Sequence, residues 1–176
     1  MLCRKINCGL TFTVENTGSE NLLFSVGAHP AFAVPLANET KYQDYYLKFS
    51  QNEHAGIWPL SAEGLIESTP TPLLKNEQRL PLKKELFYND ALVFKNLKSN
   101  SISIASDRTP HGLQVDFTGF PYIGIWAAKD ADFVCIEPWF GITDSVNVTG
   151  NLEDKEGINT LEREGRFEVF YSIEVF

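Results

Sequence analysis

The apolar residues of this chain recur mostly at every second position, the period of strands whose two faces meet different surroundings. Leu10-Thr11-Phe12-Thr13-Val14 alternates first, the polar run 15–21 reads as a turn, and Leu22-Leu23-Phe24-Ser25-Val26 follows. The opening is therefore expected to be two antiparallel strands joined by a polar loop. Tyr45-Tyr46-Leu47-Lys48-Phe49 predicts another strand. Between Gln51 and Pro81 the chain is broken by Pro59, Pro70, Pro72 and Pro81, which predicts long loops around one or two short strands. Segment 82–87 has room for a single helical turn, with Pro81 suited to its first position. Strands are predicted again at 91–94, 101–105, 113–117, 122–126 and 167–176, with a polar loop over 143–157. No helix of normal length is predicted, and neither a repeat nor a linker divides residues 1–176. Many strands separated by turn signals predict one all-β domain, a large antiparallel sandwich.

The stretch FVCIEPWFG, Phe133 to Gly141, interrupts this pattern chemically. Phe133, Val134, Cys135 and Ile136 form an uncharged, β-prone run, and Glu137 follows at once, held against Pro138-Trp139-Phe140. A carboxylate placed there is costly to ionise unless something compensates it. It therefore either closes a structural hydrogen-bond network or is tuned for proton transfer. Trp139 offers a flat amphipathic face of the kind on which pyranose rings stack.

Composition narrows the partners. A chain of 176 residues, 43% hydrophobic and 12% aromatic, can bury a real core and is not a disordered segment. The net charge of -8 disfavours nucleic acid, which needs a basic face. No apolar run reaches the length of a membrane span, and no secretory leader pattern is present. Cys3, Cys8 and Cys135 form no CxxC pair and no zinc-like spacing with His29, His54 or His111, which predicts reduced thiols in a cytoplasmic protein without a metal.

Other candidate residues follow from local context. His29, in Val-Gly-Ala-His-Pro-Ala-Phe, directly follows a predicted strand. Its small neighbours leave room for a ligand, and Pro30 fixes the local backbone. An imidazole is suited to exchanging protons near neutral pH, but a core histidine bonded to a backbone carbonyl would look the same in sequence. Asp90 ends Leu86-Phe87-Tyr88-Asn89-Asp90, where it either forms a turn or points into a cleft. Asp116 and Asp144 read as turn residues, His54 and His111 as loop residues, and Lys155-Glu156-Gly157 as a solvated loop. Trp126 and Trp139 flank the Glu137 strand and are either core or ligand platform.

Taken together, GAHPAF, YNDALVF, GFPYIGIW, FVCIEPWFG and KEGINTL resemble the aldose 1-epimerase (galactose mutarotase) family, most closely its bacterial LacX-type branch. The resemblance implies an antiparallel β-supersandwich. It implies Glu137 as general base and His29 as general acid, with Asp90, Trp126 and Trp139 contacting the sugar. The implied reaction interconverts the α and β anomers of an aldohexose such as glucose or galactose. It needs no metal, nucleotide or other cofactor.

Members of that family carry a long segment before the GAHPAF strand, and here Met1 begins close to it. The expectation is thus the C-terminal portion of the fold, N-terminally truncated, with an exposed sheet edge through which the chain could form homo-oligomers. Two other classes stay open on the sequence alone. One is a carbohydrate-binding or sensory module without turnover. The other is a glycoside hydrolase pairing Glu137 with Asp90 or Asp144.

Overall fold

The structure, a computed structural model, describes residues 6–176; Cys3 and Arg4 lie outside the described residues. In chain order the strands are β1 (Ile6–Glu15), β2 (Leu22–Phe24), β3 (Val26–Gly27), β4 (Ala31–Ala33), β5 (Tyr45–Ile57), β6 (Thr71–Pro81), β7 (Leu92–Lys95), β8 (Ser101–Ser106), β9 (Leu113–Asp116), β10 (Tyr122–Trp126), β11 (Phe133–Phe140), β12 (Asn159–Leu161) and β13 (Arg166–Val175). Among the described residues helical structure is limited to short 3₁₀ turns at Tyr42–Asp44, Lys84–Phe87 and Leu152–Asp154. One sheet has the order β1-β13-β9-β8-β5-β6, and the second has the order β3-β11-β10-β7 with β4 also on β11. All of these pairings are antiparallel. This is the all-β supersandwich that the alternating pattern and the resemblance imply.

Alternation places the core between the sheets. Leu47, Phe49, Ile102, Ile104 and Val115 of the first sheet pack with Phe94, Ile123, Ile125, Val134 and Ile136 of the second, all essentially excluded from water. Each such side chain contributes roughly 1.5–3 kcal/mol on burial. The even-numbered residues of β11 are thereby pinned to the core, and its odd-numbered residues must face the other way.

Three expectations are corrected. Residues 51–81 form, for much of their length, the 13-residue β5 and 11-residue β6, paired in a long hairpin with register shifts near Glu53 and Gly56. Pro72 and Pro81 are tolerated because β6 is an edge strand, whose outer N–H positions need no partner. Pro81 accordingly ends β6, and the helical turn begins three residues later at Lys84. The opening hairpin does not form: β1 pairs with β13 along its whole length, and β2 pairs with β12. Asn16 explains the separation. Buried at the turn, it donates from Nδ2 to the carbonyls of Glu20 and Leu161, both at 2.8 Å, and so ties the bend to β12 rather than to β1.

β1 is an edge strand that exposes Ile6 and Leu10. Cys8 on β1 is exposed and Cys135 on β11 is buried; both are free thiols. No helix among the described residues is long and apolar enough to cross a membrane.

Candidate functional site

The site is built on the face of β11 that turns away from the main core. Cys135, Glu137 and Trp139 share that face because they are two residues apart on one strand. On one flank β11 pairs with β10, where Gly124 lies opposite Glu137. On the other flank β3 and β4 pair with β11 on either side of an interruption, Gly27 opposite Trp139 and Ala31 opposite Cys135. Pro30, which has no N–H, breaks the ladder there. The register nonetheless carries across: Ala28 N–H donates to the Pro138 carbonyl at 3.0 Å, and Ile136 N–H donates to the Pro30 carbonyl at 3.3 Å. His29 therefore falls opposite Glu137 across the strand break. Its Nδ1 lies 3.2 Å from Glu137 Oε1.

Two glycines make room for the third member of this face. A Cβ at Gly124 would stand 2.3 Å from the six-membered ring of Trp139, and one at Gly27 would stand 2.6 Å from its Cδ1. The indole thus lies across positions that must carry no side chain. In this position its N–H favours the ionised form of the Glu137 carboxylate. Glu137 is only 4% exposed, and its pKa is pushed up to about 7. Burial is the largest cause; the Trp139 N–H opposes it and the charge of Asp90 adds to it. Burial also pushes the Cys135 thiol up, to about 11, with a smaller contribution from Glu137.

Above this floor lies a cleft of about 610 Å³. His29 faces it with a side chain 60% exposed, and its ring meets Trp126 edge-on at 5.8 Å between centroids. Trp126, Trp139, Glu137 and Asp90 also line it. Asp90 combines both roles open to it in sequence. It holds a left-handed backbone angle of φ 83°, which Asp tolerates better than most residues, and its Oδ1 accepts from Ala91 N–H at 2.7 Å. The five residues singled out at 29, 90, 126, 137 and 139 are thus brought around one cavity, although they are scattered over more than a hundred positions of chain.

The remaining candidates go elsewhere. His54 pairs with Lys75 along the β5–β6 hairpin, and His111 lies in a turn where its N–H donates to Thr109 Oγ1. Asp116 caps its own turn through Thr118. Asp144 is bound by Lys155 Nζ at 2.7 Å.

Several participants escape a reading of the sequence. Lys155, taken as part of a solvated loop, lines the cleft; its membership of the KEGINTL motif was the available signal. Leu60, Gly64 and Ile66 wall the cleft from a stretch that the prolines made look structureless. Ile66 joins this wall to the 143–146 loop by donating to the Asp144 carbonyl at 2.8 Å and accepting from Val146 N–H at 2.9 Å. Glu53 is a second buried carboxylate, and it accepts backbone N–H bonds from Ser99 at 2.6 Å and Lys98 at 3.3 Å. It closes a turn. Glu137 differs in facing a histidine, an indole N–H and a cavity.

No protein-family model matches the chain. Among solved structures it resembles the galactose mutarotase related enzyme of Lactobacillus acidophilus, with a TM-score of 0.88 and 28% sequence identity, over 97% of this chain and 57% of that one. A galactose mutarotase-like protein of Lactobacillus casei superposes with a TM-score of 0.81 at 24% identity, over 96% of this chain and 58% of that one. The chain has the galactose mutarotase-like fold. In sequence it is similar to the chromosomal LacX protein of Lactococcus lactis subsp. lactis, 38% identical over 148 residues that make up 82% of this chain and 50% of LacX. The chain spans about half the length of the curated relatives it matches.

Proposed function

We propose that this chain carries the acid–base pair of an aldose 1-epimerase, which interconverts the α and β anomers of a neutral aldohexose such as glucose or galactose. The observation that carries the reading is the 3.2 Å approach of His29 Nδ1 to Glu137 Oε1 on the floor of a cleft. Opening a cyclic hemiacetal requires one proton to leave the C1 hydroxyl and another to reach the ring oxygen. Both oxygens are bonded to the same carbon, so the base and the acid must stand within a few ångströms of each other.

Glu137, as carboxylate, takes the C1 hydroxyl proton. The imidazolium of His29 protonates the ring oxygen while the C1–O bond to it breaks, leaving an open-chain aldehyde. Rotation about C1–C2 exposes the other face of the carbonyl. Re-closure returns the proton from Glu137 to C1–O and takes the hydroxyl proton back onto His29, so that no net proton is consumed. A carboxylate with a pKa near 7 is well matched to this exchange at neutral pH. Trp139 and Trp126 supply apolar walls for the sugar ring, and Asp90 accepts from its hydroxyls.

The charge around the cleft favours a neutral sugar over a sugar phosphate. Among the described residues lining the cleft, the one ammonium or guanidinium side chain is Lys155, and Asp144 already pairs with it. Polarimetry of freshly dissolved α-glucose or α-galactose tests the proposal. Wild type should accelerate mutarotation, and Glu137→Gln and His29→Asn should each lower the rate by about 10²-fold or more. Equal rates for all three proteins would refute it.

A further inference from the structure

We propose that His29, Cys135 and Glu137 together form a site for a thiophilic divalent cation of the zinc type. One donor atom from each residue, an imidazole nitrogen, the Cys135 sulfur and a Glu137 oxygen, all lie within 4.8 Å of one another. Nitrogen, thiolate and carboxylate are the donors zinc takes, at about 2.0–2.3 Å from the ion. Around one tetrahedral ion such donors stand roughly 3.3–3.8 Å apart, so an adjustment of about 1 Å closes the set. Cys135 and Glu137 are fixed on one face of β11, whose alternate residues are pinned in the core. His29 is the exposed member, and its Nδ1 already lies 3.2 Å from Glu137 Oε1. His29 and Glu137 line the cleft, which gives the ion an entry path from their side, while Cys135 lies buried beside them.

The sequence conceals this set, because His29 is remote from the other two and the 135–137 spacing resembles no zinc motif. Binding converts the thiol to a metal thiolate and releases its proton to solvent. Two of the three ligands are the proposed acid and base, so an ion held here also blocks proton transfer. That consequence, unlike the binding itself, rests on the epimerase reading.

Cobalt(II) titration of the full chain tests the site without relying on activity. Thiolate ligation should give a sulfur-to-cobalt charge-transfer band in the near ultraviolet and intense visible bands of tetrahedral cobalt, both abolished by added zinc. Cys135→Ala, which retains Cys3 and Cys8, should lose the charge-transfer band, and so should Cys135→Ser. His29→Asn should weaken binding more than about tenfold. Thermal unfolding of each variant identifies any that fails to fold, and having both Cys135 variants keeps the comparison open if one does. No charge-transfer band in wild type, or a band that persists in a folded Cys135 variant, would overturn the proposal. If mutarotation occurs, zinc should inhibit wild type and spare Cys135→Ala by about tenfold or more in the concentration required. A band without mutarotation would leave the metal site standing and count against the epimerase reading alone; mutarotation without a band would do the reverse.

Discussion

Trp139 lies flat across Gly124, so closely that a Cβ at position 124 would come within 2.3 Å of its ring. The two residues sit on neighbouring strands, and the same indole favours the ionised form of Glu137, the residue directly opposite Gly124. A glycine on β10 thus sets the position of the indole that lowers the pKa of the buried carboxylate.

Gly124→Ala should therefore displace the indole and lower stability by roughly 1–3 kcal/mol. In a Trp139→Ala background the same substitution should cost much less, since the ring it collides with is gone. Thermal or denaturant unfolding of the four proteins in this cycle gives the coupling directly, and simple additivity would show that the contact is unimportant.

Glu137 makes stability depend on pH with an unusual sign for a carboxylate. Its pKa is raised from 4.5 to about 7 in the folded chain, so the native state holds the proton more tightly than the unfolded state does. Stability from this group is complete below about pH 4.5, falls between pH 4.5 and 7, and stays reduced above that. Glu137→Gln should accordingly be more stable than wild type at pH 8, by up to about 3 kcal/mol, with the advantage vanishing near pH 4. Urea unfolding at the two pH values measures it. A Gln variant that is less stable than wild type at pH 8 would contradict the burial argument.

Two neighbours should move the Glu137 titration in opposite directions. Trp139→Phe removes a donor that favours the carboxylate, so the pKa should rise. Asp90→Asn removes a nearby negative charge, so the pKa should fall. The carboxyl carbon resonance of Glu137, followed by NMR across pH, reports both. In the proposed reaction Glu137 works as the anion, so the acid limb of the pH–rate profile should shift upward for Trp139→Phe and downward for Asp90→Asn.

Asp90→Gly separates the backbone role of this residue from its place in the cleft. Glycine accepts the φ of 83° readily, so stability should change by less than about 1 kcal/mol, while the carboxylate facing the cleft is lost. The expected outcome is a raised KM for aldose with an unfolding midpoint close to that of wild type. An unchanged KM would remove Asp90 from the sugar contacts.

Much of this architecture was open to inspection in the linear chain. Period-two alternation marked most of the strands, but the continuous apolar run of β11 shows none, and the face shared by Cys135, Glu137 and Trp139 follows from parity once the strand is formed. The isolation of Glu137 among apolar residues marked a carboxylate that either closes a structural network or is tuned for proton transfer. What failed was pairing. The prolines at 72 and 81 concealed a long hairpin because a proline forbids a strand only where its missing N–H is needed, and β6 proved to be an edge. β1 found β13, at the far end of the chain, rather than the strand nearest in sequence. The decisive relationship, His29 opposite Glu137, depends on β3 and β4 holding a common register on β11 across the Pro30 break, and no local pattern encodes it. Parity is a property of a single strand and can be read from residues in line. Register is a property of two strands, settled by the burial and hydrogen bonding of the whole sheet, and for this reason the candidate acid and base were visible separately in the sequence and became a pair only in the folded chain.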